Sequence, residues 1–280
     1  MILTCSIWCP EDGGHERYAA EARRAVEAGA SVIHIDPRMA VDAADYQAIA
    51  ATILEQVDDV VIAVSAQEQL GLLPDRVAHL EAVCPDVAEL TMGSMNFANY
   101  SAHDRSFVSD SVIESSFSTI VELEKAMTSL GIRPEHRCYD SGHVAALDPL
   151  LDMEIVDGPL DISLVLGVTG GIRPTVRNLT HLTEQLPAAL DGLHSWGVIA
   201  LGEEAWTLLA AALALGGNIR VGLGDHPDLA DRSRARSNGE LVDAARSLVE
   251  MTGRRPATCA EARARLGIPR RARSVITPTA

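Results

Sequence analysis

Lysine is almost missing from this chain: of its 23 basic residues only Lys125 is a lysine. It stands in a helical pattern over 121–127, with acidic residues one and three positions before it. A Schiff-base mechanism needs a desolvated amine facing the substrate, and no such amine is offered. Any carbonyl polarisation must therefore come from a metal or from hydrogen bonds. The five cysteines (Cys5, Cys9, Cys84, Cys138, Cys259) contain no CxxC pair, which argues against a disulfide framework and a thiolate zinc site. No apolar run reaches the ~18 residues of a membrane span, and the N-terminus lacks the basic region of a signal peptide, so a cytoplasmic location is expected. Excess positive charge is lacking too. The net charge of −16 is unsuited to a phosphate backbone, and nucleic acid is excluded as an expected partner.

What is present is a 280-residue chain, 47% hydrophobic, with enough apolar content for a large core. Eight short apolar or β-branched runs recur, at 2–8, 31–36, 60–65, 87–91, 136–140, 162–167, 197–201 and 218–223. Amphipathic patterns lie between them at 15–28, 43–56, 113–130, 175–190, 205–215 and 239–252. This alternation predicts parallel strands joined by crossover helices, and eight units predict a single-domain (β/α)₈ barrel. A doubly wound sheet fits less well, because the glycine-rich nucleotide turn after the first strand is absent. Thr258 and Glu261 form a capping-box pattern, which predicts a last helix ending at Gly267. The barrel with its capping helix is expected over 1–268, followed by a basic tail over 269–280.

In such a barrel the chemistry collects where strands end. The run from Gly217 to His226 is the richest: Arg220 sits on a short strand and Asp225 at its end. Their pairing either positions a carboxylate for proton abstraction or is purely structural. His34 and Asp36, two residues apart on a strand, face the same way and suit a divalent metal, or a histidine hydrogen-bonded to its carboxylate. Glu89 or His226 could complete a metal set. Glu11, Ser65, Glu89, Thr91 and Asp140 lie at other strand ends. Ser65 and Thr91 are donors for a substrate carboxylate, or helix caps. Gly170 and Gly171 form a turn whose N–H groups could meet a phosphate or pantetheine. His143 lines the mouth or starts a helix.

Several segments in order resemble the β-keto acid cleavage enzymes: 27–34 (EAGASVIH), 93–97 (GSMNF), 166–171 (LGVTGG), 219–223 (IRVGL) and 237–242 (SNGELV). The resemblance spans nearly the whole chain. It implies a homo-oligomeric (β/α)₈ barrel that binds a divalent metal, usually zinc. The implied reaction exchanges a β-keto acid with acetyl-CoA, giving acetoacetate and a new CoA thioester. By position it makes Arg220 and Asp225 the catalytic pair, Glu11 a substrate-contacting glutamate, Ser65 a carboxylate-binding serine and His34 the first metal ligand. The family commonly reads His-x-His where this chain has His34-Ile35-Asp36, a Glu at Gly224 and a Thr at Glu89. One expectation is that Glu89 restores the ligand lost at Gly224, giving a His/Asp/Glu site. The pair of glycines usual after the strand-three serine is Gln67-Glu68, and Glu203 stands where the family has an arginine. The alternatives that follow are a metal-assisted lyase or hydrolase without CoA, and a non-catalytic small-molecule-binding barrel that has lost its metal.

Overall fold

The computed structural model describes residues 1–9, 14–36, 42–65, 72–156, 159–187 and 194–269. Eight parallel strands close into a barrel: β1 (Leu3–Ile7), β2 (Val32–Ile35), β3 (Val61–Val64), β4 (Val87–Thr91), β7 (Arg133–Cys138), β8 (Leu160–Leu166), β9 (His194–Ala200) and β10 (Asn218–Val221). Strands β2, β3 and β4 are buried at every position. Helices cover their outer face and side chains fill the interior, so short continuous apolar runs are the expected signature of such strands.

Between the strands run α1 (Gly14–Ala28), α2 (Ala43–Gln56), α3 (Leu73–Val83), α4 (Phe117–Ser129), α5 (Ser141–Ala145), α6 (Leu147–Asp152), α7 (Val176–Glu184), α8 (Ala205–Ala214) and α9 (Asn238–Met251). Local chemistry sets their starts. Asp42, Ser116, Thr175 and Ser237 each accept a backbone N–H three residues on, the hydrogen bond that satisfies an otherwise orphaned helix donor. Helix α7 stops at Glu184, short of the predicted 190, whose last three positions lie outside the described residues. The run at 113–130 is shared: Ile113 ends a strand and the helix begins at Phe117.

The last helix, α10 (Cys259–Leu266), carries the predicted capping box, and Gly267 closes it in the left-handed region. Its Ala262 and Leu266 pack with Ile2, Val32, Val61, Ala63 and Val87, plugging the end of the barrel where strands begin. Arg263 ties the plug to the loops before β3 and β4, bonding Asp59 at 3.0 Å, Asp86 at 3.1 Å and the Val60 carbonyl at 2.8 Å. The basic tail beyond Pro269 lies outside the described residues.

One element has no counterpart in the eight-unit scheme. An antiparallel hairpin, β5 (Met95–Ser101) and β6 (Ser106–Ile113), is inserted after β4. Its base is held by Met95 and Ile113, which pack with Tyr139, Val165 and Ile199. Ala98 also bridges to Thr169 in the loop after β8. The hairpin thus covers the β7–β9 side of the mouth, leaving the polar strand ends of β10, β1 and β2 to form the site.

Candidate active site

Strand register brings the polar residues together. Ser6 lies opposite His34, Thr4 opposite Arg220, Glu89 opposite Glu135, Thr91 opposite Arg137, and Arg137 opposite Ser163. Because side chains alternate, all of these point into the barrel. His34, Glu89, Glu135, Arg137, Ser163 and Arg220 are buried.

Arg220 holds Asp225 through two parallel bonds, Nε to Oδ2 at 2.8 Å and Nη2 to Oδ1 at 2.6 Å. This forked geometry fixes the carboxylate's orientation. Burial pushes the Asp225 carboxyl up, but the Arg220 charge and hydrogen bonds outweigh it and bring it below the usual carboxylate range. Asp225 is therefore ionised at neutral pH. The third guanidinium nitrogen, Arg220 Nη1, is buried and has no hydrogen-bond partner among the described residues.

A second network crosses the barrel. His34 Nδ1 lies 3.2 Å from Ser6 Oγ, and its Nε2 contacts Glu89 Oε1. The same carboxylate oxygen pairs with Arg137 Nη2. Arg137 also donates to Glu135 from Nε at 3.3 Å and Nη2 at 3.2 Å, and Glu135 accepts from Ser163 Oγ at 2.5 Å. Burial alone would raise the Glu89 carboxyl, yet Arg137 and then His34 bring it down to about 2. Below, Asp161 is pushed up to about 8 by burial and then by Glu135, so it stays largely protonated at neutral pH. His34, Glu135, Asp161, Ser163 and Arg220 share one internal cavity.

The other predicted residues fall into place around these networks. Asp36 follows β2 and is raised by burial. Ser65 follows β3, and Thr91 is buried at the end of β4, its carbonyl accepting from Ser115 Oγ at 2.7 Å. Glu11 lies outside the described residues. Gly170 and Gly171 sit at the mouth but face backbone: a Cβ on Gly170 would lie 1.8 Å from the Asn96 carbonyl oxygen, so this glycine seats the hairpin. Gly171 lies against the Tyr139 carbonyl. His143 lies in the single turn of α5, its N–H donated to the capping Asp140 at 3.0 Å. It takes the Tyr139 N–H on Nδ1 at 3.3 Å and lies against Gly93. His226 packs edge-on against Trp206 and uses Nδ1 on the Asp228 carbonyl at 3.1 Å. Lys125 is exposed on α4.

The donor set does not fit a divalent ion. His34 Nδ1 is taken by Ser6, its Nε2 lies against Glu89 in an ion-pair contact without a hydrogen bond, Glu89 also carries the Arg137 cation, and Gly224 has no side chain. A Cβ at 224 would lie 2.4 Å from Ser6 Oγ and 3.0 Å from Asp36 Oδ2, so that space is filled. Among the described residues no three His, Cys, Asp or Glu side chains converge as a metal set. Glu89 is thus a salt-bridge partner rather than a replacement ligand. Sequence reasoning missed Ser6, Glu135, Arg137 and Ser163. The alternation of Glu135 and Arg137 on one strand was the available signal, a pair of charges on the inward face of an otherwise buried run.

Comparison with known proteins agrees with this barrel. The family model "beta-keto acid cleavage enzyme" matches residues 14–268. The chain is 30% identical to a 3-keto-5-aminohexanoate cleavage enzyme of Acetoanaerobium sticklandii, over 90% of this chain and 89% of that protein. It is 28% identical to one from Fusobacterium nucleatum over 89% and 87%. It is also 27% identical to a 3-oxoadipate:acetyl-CoA acetyltransferase of Cupriavidus necator over 88% and 84%. Among solved structures, apo ObcA superposes with a TM-score of 0.74 at 20% identity, covering 91% of this chain and 64% of that one, a likeness of fold. The chain belongs to the β-keto acid cleavage enzyme family.

Proposed function

We propose that this protein exchanges a β-keto acid with acetyl-CoA, releasing acetoacetate and the CoA thioester of the remaining acyl group. The observation that carries this reading is the buried, doubly bonded Arg220–Asp225 pair at the end of β10, in a chain of this family. The C2 hydrogens of a β-keto acid are acidified by the adjoining ketone, and the fixed Asp225 carboxylate is the base placed to remove one, with nearby cations stabilising the enolate. Asp225 takes that proton, and the enolate carbon attacks the acetyl thioester, expelling CoA thiolate. The thiolate adds to the original ketone, the C2–C3 bond breaks, and the acyl group leaves on sulfur. The acetoacetate carbanion recovers its proton from Asp225. Arg220 Nη1 and the hydroxyls of Ser65 and Thr91 are the donors for the substrate carboxylate, and Glu11 is a further substrate contact. The positive charge of Arg220 and Arg137 favours the enolate, as preorganised dipoles and charges do in a dry site.

CoA fits the mouth electrostatically. Exposed Arg173 follows the Gly170-Gly171 turn, exposed Arg177 stands in the first turn of α7 and exposed Arg234 lies beyond β10, cations that a nucleotide phosphate could use in an otherwise acidic chain. Glu203, which would repel an anion, is exposed with Arg232 Nη2 at 3.4 Å, so its charge is matched. The zinc that the resemblance implies finds no fitting donor set, and no step is assigned to it. The protein is read as a cytoplasmic homo-oligomer. The five free thiols support the first part. Exposed Tyr100, Phe107, Val108 and Val112 on the hairpin support the second.

The test is a panel of β-keto acids with acetyl-CoA, run beside Asp225→Asn. The variant keeps a hydrogen-bond acceptor for Arg220 but loses the base, so kcat should fall about 10²- to 10⁴-fold with little change in KM. Equal kcat in the two proteins would remove Asp225 from its role.

A further inference from the structure

The centre of the barrel carries a cation built from the chain itself. Arg137 is 7% exposed, and its guanidinium is fixed between Glu89 and Glu135 from two neighbouring strands. Arginine does not lose its proton in proteins, so this charge is permanent. Glu89, the carboxylate facing His34 Nε2, shares a single oxygen between the imidazole and the guanidinium. A divalent ion on His34 Nε2 would have to take Glu89 away from Arg137. It would then sit beside a guanidinium left with the Glu135 carboxylate and without Glu89, in a low-dielectric interior where like charges repel most strongly. On the opposite side, Ser6 Oγ and Asp36 Oδ2 fill the space that a side chain at 224 would occupy, closing the approach from β10.

We infer that Arg137 is the fixed positive centre of this site and that it excludes a divalent metal from His34. The inference rests on the proposed reaction only for what the charge is used for, namely stabilising developing negative charge on the substrate. The exclusion itself is a property of the free protein. His34 is then a positioning residue, held by Ser6 and Glu89, and Glu89 is the tether that keeps Arg137 in place. Sequence and geometry agree: Gly224 lacks a donor side chain, while Glu89 brings a carboxylate to Arg137 in the same interior.

The experiment is zinc content per chain, with the zinc-induced shift in Tm, after exposure to zinc and desalting. It is made on the wild-type protein, Arg137→Lys, Arg137→Met and His34→Ala, without substrate. The wild type and Arg137→Lys should retain less than a tenth of an equivalent and show no shift. Arg137→Met, which frees Glu89 and His34 while removing the cation, should bind zinc at least tenfold tighter and gain in Tm. Near-stoichiometric zinc in the wild type, lost in His34→Ala, would overturn the inference even if Arg137→Met failed to fold. Arg137→Met folding without any gain in zinc affinity would also overturn it. Turnover with acetyl-CoA is read separately: its absence would count against the proposed reaction and leave the metal measurement standing.

Discussion

At the scale of single residues, the site is governed by charges that would be costly alone and are matched in pairs. Glu89 shows the sign of the effect. Its carboxyl is held down at about 2 against an ordinary value of 4.5, so folding favours the ionised form. The stabilisation is present above pH ~4.5 and is lost as pH falls through about 2. Its size is on the order of 3 kcal/mol. In Glu89→Gln this pH-dependent part vanishes. Chemical unfolding should show the variant less stable than wild type at neutral pH, with the gap narrowing as the solution is acidified. A gap independent of pH would mean that Glu89 is not the charge that Arg137 and His34 hold. Asp161 runs the other way: a buried acid raised to about 8 weakens folding as pH climbs toward that value. The residues legible from sequence were those at strand ends, Arg220 and Asp225 above all, because a charge following an apolar run has few roles. Ser6 and Ser163 were not legible, and Glu135 and Arg137 left only their alternation on one strand as a signal. Small or charged residues in mid-strand look like ordinary variation until register shows which neighbours they face.

At the scale of elements, strands such as β2 and β3 were recoverable because they are buried at every position and read as continuous apolar runs, whereas β7 reads RPEHRC and was located only in part. The helix boundaries that carried a capping residue, such as Asp42 for α2 and Thr258 for α10, were also recoverable. The hairpin β5–β6 was not. Its second strand is exposed along nearly its whole length, so no apolar periodicity marks it, and a hairpin of this size gains its stability from what its base packs on. That dependence gives a prediction. In Gly170→Ala the added carbon meets the Asn96 carbonyl, at a position whose φ of +108° already disfavours a side chain. A loss of roughly 2 kcal/mol, or about 4–8 °C in Tm, is expected from strain of this kind. Thermal unfolding of Gly170→Ala at the wild-type temperature would show that the hairpin is not seated there.

At the scale of the whole molecule, the barrel separates support from chemistry. The end where strands begin is plugged by α10 and locked by Arg263, while the end where they finish gathers the Arg220–Asp225 and Glu89–Arg137 pairs under a mouth partly covered by the hairpin. The central claim is that this mouth joins two carbon fragments through acetyl-CoA rather than simply cleaving an acid. It is tested most directly by mass spectrometry of the products formed from an unlabelled β-keto acid and acetyl-CoA carrying ¹³C in both acetyl carbons. The account predicts acetoacetate with the labelled pair intact in its acetyl half, and an unlabelled CoA thioester of the other acyl group in equal amount. Consumption of the keto acid without labelled acetoacetate, or no consumption across the panel, would contradict it.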